Sequence, residues 1–146
     1  MRKFLRLKTA ERALLLRAVF GVMAARIMLL VAPLPGVRRV VWRMLSAASA
    51  LAPGHCCPAE RVTWAVAVAA KWSPFGSTCL AAALVGQALL SRHGHPARLR
   101  IGVRREQDRT FAAHAWLESE GKVVVGGPAS VIDRYKPLPE LEHLIR

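Results

Sequence analysis

Three cysteines and five histidines are the residues of this 146-residue chain that could pair a nucleophile with a base. Cys56 and Cys57 are adjacent, between Pro53 and Pro58, and neighbouring cysteines seldom bridge each other without strain, so they read as ordinary loop thiols. The run His55-Cys56-Cys57 is contiguous and lacks the separated ligands that a zinc site needs. Cys79 differs from both. It opens an Ala/Leu-rich run, Cys79 to Leu90, directly behind a segment rich in Pro, Gly and hydroxyls, Trp72 to Thr78. The pattern puts this thiol at a helix N-terminus, with Ser77 or Thr78 as the cap. There, unpaired N–H groups and the helix dipole stabilise a thiolate and offer donors to an oxyanion. Given a base, the chemistry of such a group is acyl transfer through a thioester.

The base must come from elsewhere in the chain. His93 and His95 follow the same helical run and lie about 20 Å along it. His55 falls in a loop and His143 in the tail. His114 sits mid-strand, sharing one face with Ala112, Trp116 and Glu118, and a central antiparallel strand packed on the Cys79 helix could hold its imidazole against the thiol. Pattern alone leaves a second reading open, in which Cys79 is a buried helical cysteine and His114 a satisfied core histidine.

The elements that must position these groups are legible in order. Residues 9–32 read as one long helix, with Thr9 a candidate cap and Pro33-Leu34-Pro35-Gly36 a stop. A second helix is predicted from about Val37 to Leu51, with Arg38, Arg39 and Arg43 on one basic face, and a third from Ala59 to Lys71 with Val62, Ala65, Val66 and Ala69 as its apolar stripe. The Cys79 helix ends near Gly94 and Pro96. The period then becomes two: Ala97, Leu99, Ile101 and Val103 alternate with Arg98, Arg100, Gly102 and Arg104. Strands at Thr110–Glu118 and Lys122–Val125 follow, separated by a tight turn at Ser119-Glu120-Gly121. Gly126-Gly127-Pro128 ends the third strand, and the tail from Tyr135 is expected to drape over the domain. Helices first and an antiparallel sheet afterwards make the fold class α+β. The organisation is a hydrophobic, Arg-rich helical segment, residues 1–58, ahead of a core at 59–146.

Length and composition fit one folded domain, at 53% hydrophobic and 21% charged. The formal charge is +13, from 22 basic and 9 acidic residues, and no acid stands between Glu11 and Glu60. Such a surface attracts acidic peptides, anionic membranes or nucleic acid. A single Tyr and scattered aromatics build no stacking platform, and no groove-reading motif is visible, so nucleic acid is not an expected partner. Arg12, Arg17 and Arg26 break the N-terminal apolar stretch, which therefore fails as a signal peptide. Arg17 and Arg26 would each cost about 2.5–3.5 kcal/mol near a bilayer centre, so Ala13–Ala32 reads as a buried or membrane-surface helix. The odd cysteine count suits a reducing cytoplasm, with peripheral membrane contact left open.

Three ordered blocks carry a resemblance: Ser77-Thr78-Cys79-Leu80, then Leu99-Arg100-Ile101-Gly102-Val103, then His114-Ala115-Trp116-Leu117-Glu118 within Phe111–Glu118. Over roughly residues 60–138 the chain resembles the transglutaminase-like leader peptidases of lasso-peptide biosynthesis. The resemblance implies a papain/transglutaminase-like core, with the nucleophile at a helix N-terminus packed on a small antiparallel sheet. It implies a cysteine peptidase without cofactor or metal, using Cys79 and His114. Its substrate would be the leader segment of a ribosomally made precursor peptide. Its partners would be a small leader-recognition protein and an ATP-dependent lasso cyclase. Microcin-type relatives carry an Asp about a dozen residues after the His, where this chain has Gly126, so the group orienting His114 is a backbone carbonyl, Glu118 or Asp133. A transglutaminase or amidase, or a basic non-catalytic scaffold, are the alternative functions.

Overall fold

The structure, a computed structural model, describes residues 9–46, 57–72, 79–107 and 110–138. Four helices lead: α1 (Thr9–Val31), α2 (Leu34–Ser46), α3 (Ala59–Lys71) and α4 (Cys79–Arg92). Then come β1 (Arg98–Arg105), β2 (Phe111–Ser119), β3 (Lys122–Val125), the short α5 (Ala129–Ile132) and β4 (Lys136–Pro137). The α+β arrangement expected from the sequence is the one observed.

Prolines and glycines set most of the boundaries. Pro33 stops α1, yet α2 starts three residues before the predicted Val37, because the Pro33 carbonyl accepts from Gly36 (3.0 Å) and Val37 (3.2 Å). Pro35 fits in that first turn, where its missing N–H is not needed. The predicted extension of this helix to Leu51 lies outside the described residues. α4 closes with a left-handed Gly94 (φ 81°): His95 N–H donates to the Leu90 carbonyl (2.9 Å) and Gly94 N–H to that of Ser91 (3.0 Å), which satisfies two carbonyls at the helix end.

Nine of the fourteen α4 residues are buried, spread around its whole circumference. A helix apolar all round must be covered on every side. Here α1, α2 and α3 pack on it from the helical side and the sheet from the other. The predicted α3 stripe of Val62, Ala65, Val66 and Ala69 is buried as expected. One apolar cluster runs from Leu14 of α1 to Val125 of β3, so the helices before residue 58 and the elements after it share a core. Gly86 permits the closest approach: a Cβ there would stand 2.9 Å from Leu117 Cδ1 and 3.4 Å from Val125 Cγ2.

The sheet is antiparallel in the order β3-β2-β1-β4, so β2 is an inner strand. β1 and β2 pair along their full length, with Gly102 opposite His114 and Arg100 opposite Trp116. Glu120 (φ 51°) and Gly121 (φ 74°) form the tight β2–β3 turn. The segment after Gly127, where the sequence suggested only a covering tail from Tyr135, folds into α5 and then adds β4 to β1 at Gly102 and Val103. A four-residue helix and a two-residue strand are too short to leave a periodic signal.

The centre of this core is α4, and Leu89 there is fully buried. Leu89→Ala should cost about 2–5 kcal/mol in urea unfolding, whereas Leu30→Ala, at a largely exposed position of α1, should stay within about 0.5 kcal/mol.

Candidate active site

Cys79 is the first residue of α4 and is partly buried against the core. The chain reverses after α4 into β1 and again into β2, so β2 runs in the same sense as α4. Gly86 sits against Leu117, and Cys79 is seven residues, or about 10 Å of helix, before it. About three strand residues cover that distance. The Cys79 end of α4 therefore points toward the His114 end of β2 and away from its Ser119 end.

The two side chains leave from different layers. Leu117 and Val125 face Gly86 and α4, whereas Gly102 faces the Trp116 ring and is paired with His114, so His114 and Trp116 occupy the opposite sheet face. Pairing of β2 with β3 stops at Leu117 opposite Val125, and at the level of His114 that strand edge is no longer laddered. His114 thus lies on the sheet face away from α4, and not on the face packed against it that the sequence suggested. On the helix side, Ala113 is exposed just past the start of α4.

His114 is held from several directions. Its Nε2 lies 2.7 Å from the Gly126 carbonyl oxygen. A carbonyl only accepts, so Nε2 carries the proton and the neutral ring presents its lone pair at Nδ1. This answers the question left by the missing Asp. Residue 126 does supply the acceptor, from its main chain. Gly126 has φ 118°, and a Cβ there would stand 2.5 Å from Trp116 Cβ, so only glycine brings that carbonyl so close. The Trp116 ring stacks beside His114 (centroids 6.3 Å, 21°), and Tyr135 tilts over it (5.2 Å, 32°).

Glu118 serves Trp116 instead of His114. Its carboxylate accepts from Trp116 Nε1 (2.8 Å) and from Arg100 Nε (3.3 Å), which leaves the neighbouring-strand ion pair expected of a strand-end acid. Asp133 lies exposed at the end of α5. Tyr135, whose position the sequence did not betray, also packs under Arg104 (5.1 Å to the ring centroid). Arg104 bonds Glu106, and that hydrogen bond holds its guanidinium charge more firmly than usual. Gly102 completes the wall, since a Cβ there would meet the Trp116 ring at 2.8 Å and the Lys136 carbonyl at 3.0 Å. The only sequence signal for this was a glycine inside a strand, which marks close approach.

The remaining candidates do structural work. Cys57 N–H donates to His93 Nδ1 (3.3 Å) and His95 Nε2 donates to the Cys57 carbonyl (2.9 Å), so both imidazoles clamp the start of α3 to the far end of α4 through backbone atoms. Gln87 donates to the Ala97 carbonyl (3.0 Å) at the start of β1. Ser77, Thr78, His55, Cys56 and His143 lie outside the described residues, and among those described no group of three or more His, Cys, Asp or Glu could hold a metal ion.

The Gly126 carbonyl depends on an unsubstituted α-carbon beside Trp116. Gly126→Ala should destabilise the fold by about 1–3 kcal/mol in chemical denaturation and broaden the His114 ring resonances in NMR spectra, because the carbonyl must move away from Nε2.

A family-wide sequence profile, described as the transglutaminase-like superfamily, matches residues 12–140. The match takes in α1 and α2 as well as the sheet. No curated protein and no solved structure matches the chain. A cysteine heading a buried helix, a histidine on an inner antiparallel strand, and a match over most of the length agree: the chain belongs to the transglutaminase-like superfamily, whose members are usually cysteine-type enzymes.

Proposed function

We propose that the protein is a cysteine peptidase that removes the leader segment from a ribosomally synthesised lasso precursor, with Cys79 as nucleophile and His114 as base. The observation that carries the reading is the His114–Gly126 hydrogen bond of 2.7 Å, which leaves Nδ1 as the nitrogen available to act as a base. The reading requires thiol and imidazole to meet around the open β2 edge.

In the reaction, Nδ1 takes the Cys79 proton and the thiolate attacks the scissile carbonyl carbon. The first-turn N–H groups of α4 receive the negative charge that forms on the carbonyl oxygen. The C–N bond then breaks, and the Nδ1 proton passes to the leaving amine. In deacylation Nδ1 deprotonates a water, which attacks the thioester and restores the thiol. The Gly126 carbonyl keeps the ring in one tautomer through both halves. Glu118 acts through Trp116 as a positioning residue. The leader-recognition protein would deliver the precursor, and the lasso cyclase would act on the freed core N-terminus.

The test combines the purified full chain, a leader-recognition protein and a precursor peptide, with products read by mass spectrometry. Release of leader and core as hydrolysis products is the expected result, with Cys79→Ala and His114→Ala each lowering the rate by about 10³-fold or more. Amine-transfer products would make the enzyme an acyl transferase. Full support of cleavage by Cys79→Ala would refute the catalytic assignment and leave a scaffold.

A further inference from the structure

α1 is apolar on two faces. Leu14, Leu15, Ala18, Val22 and Ala25 are buried against the core, as an amphipathic helix requires. On the other side, Leu16, Phe20, Ile27, Leu30 and Val31 recur at helical spacing and form a second stripe along the helix. Three of these are more than two-thirds exposed: Phe20 at 71%, Leu30 at 79% and Val31 at 83%. α2 runs back beside α1 and extends the patch with exposed Val40 and Met44. Between the two helices lies an apolar groove of about 200 Å³, lined by Leu16, Phe20, Ala24, Val41 and Met44 among others, with Arg17 at its wall.

The charge around this patch has one sign. Arg17, Arg39 and Arg43 are exposed, the latter two on the row of α2 next to Val40 and Met44. Arg2, Lys3, Arg6 and Lys8 precede α1 in the sequence, and no acid occurs from residue 12 to residue 59. An exposed apolar stripe with a basic border is the arrangement of helices that lie in the plane of a bilayer interface. From Leu16 to Val31 the stripe is about 22 Å long by helical rise.

We infer that the exposed α1 stripe and the α2 arginine row seat the protein on an anionic phospholipid surface, with α1 lying flat. Crossing the bilayer is disfavoured because the opposite face of α1 is committed to α3 and α4. The length and mean hydropathy of α1 alone would allow a crossing. A lying helix keeps its arginines at headgroup level. A second copy is a poor occupant: a symmetric dimer through this stripe would bring two arginine rows together on chains of +13 each.

The experiment is co-sedimentation of the full chain with vesicles of phosphatidylcholine alone or in equal mixture with phosphatidylglycerol. Binding to the mixed vesicles, and about 10-fold or more weaker binding to phosphatidylcholine alone, is expected. Arg39→Glu/Arg43→Glu should weaken binding about 30-fold or more, and Phe20→Glu/Leu30→Glu should abolish it with an unchanged circular dichroism spectrum. Should that double variant lose its fold, Leu30→Trp keeps the stripe apolar, and its added fluorescence should be quenched by brominated acyl chains. No binding to mixed vesicles, undiminished binding by a folded Phe20→Glu/Leu30→Glu, or an unquenched Leu30→Trp would each overturn the inference. So would a dimer in analytical ultracentrifugation that the stripe variant dissolves.

Discussion

Burial of α4 on all sides is the constraint from which the rest of the architecture follows. A run such as Cys79-Leu80-Ala81-Ala82-Ala83-Leu84-Val85 has no face to give to water, so it folds only if other elements surround it. Three helices and a sheet do so, and the small residues at its surface let them approach closely. Because the flanks are occupied, what remains of α4 is its two ends. Its C-terminal end is closed by Gly94 and clamped by His93 and His95 to the start of α3. The N-terminal end is where Cys79 stands.

The second constraint is on the other face of the sheet, where the sequence spends large and very small residues together. Trp116 is almost completely buried across the glycine at 102 and beside the glycine at 126. One carboxylate, Glu118, ties its indole to Arg100. The result is a stiff wall against which His114 and Tyr135 rest. A carbonyl in place of a carboxylate fixes the orientation of the ring without placing a second charged side chain in the wall.

Much of this was legible because punctuation and period are local properties. The α3 and β3 bounds and the buried α3 stripe follow from Pro58, the Val/Ala spacing and the Glu120-Gly121 turn. The face shared by His114, Trp116 and Glu118 follows from strand alternation. Pro35 misled the reading of α2, since a proline signals a stop and a first helical turn alike. The acceptor for His114 was left open among a backbone carbonyl, Glu118 and Asp133, because a backbone atom is present everywhere in a sequence and its aim depends on φ at Gly126 and on the bulk of Trp116. Which sheet face carried His114 relative to α4 was a tertiary fact, fixed by the packing of Leu117 on Gly86. The exposed stripe of α1 was hidden for the same reason: a helix apolar on two faces does not declare which of them the fold will cover.

The outer strands of the sheet have a bearing on colloidal behaviour. β3 contributes four residues, and β4 only two, the second a proline with no N–H to offer. Strands so brief give an incoming chain almost no ladder to extend, and a lysine on each adds charge at the margin. Aggregates of this protein should therefore grow through its helices and be reversible by detergent, with little cross-β character.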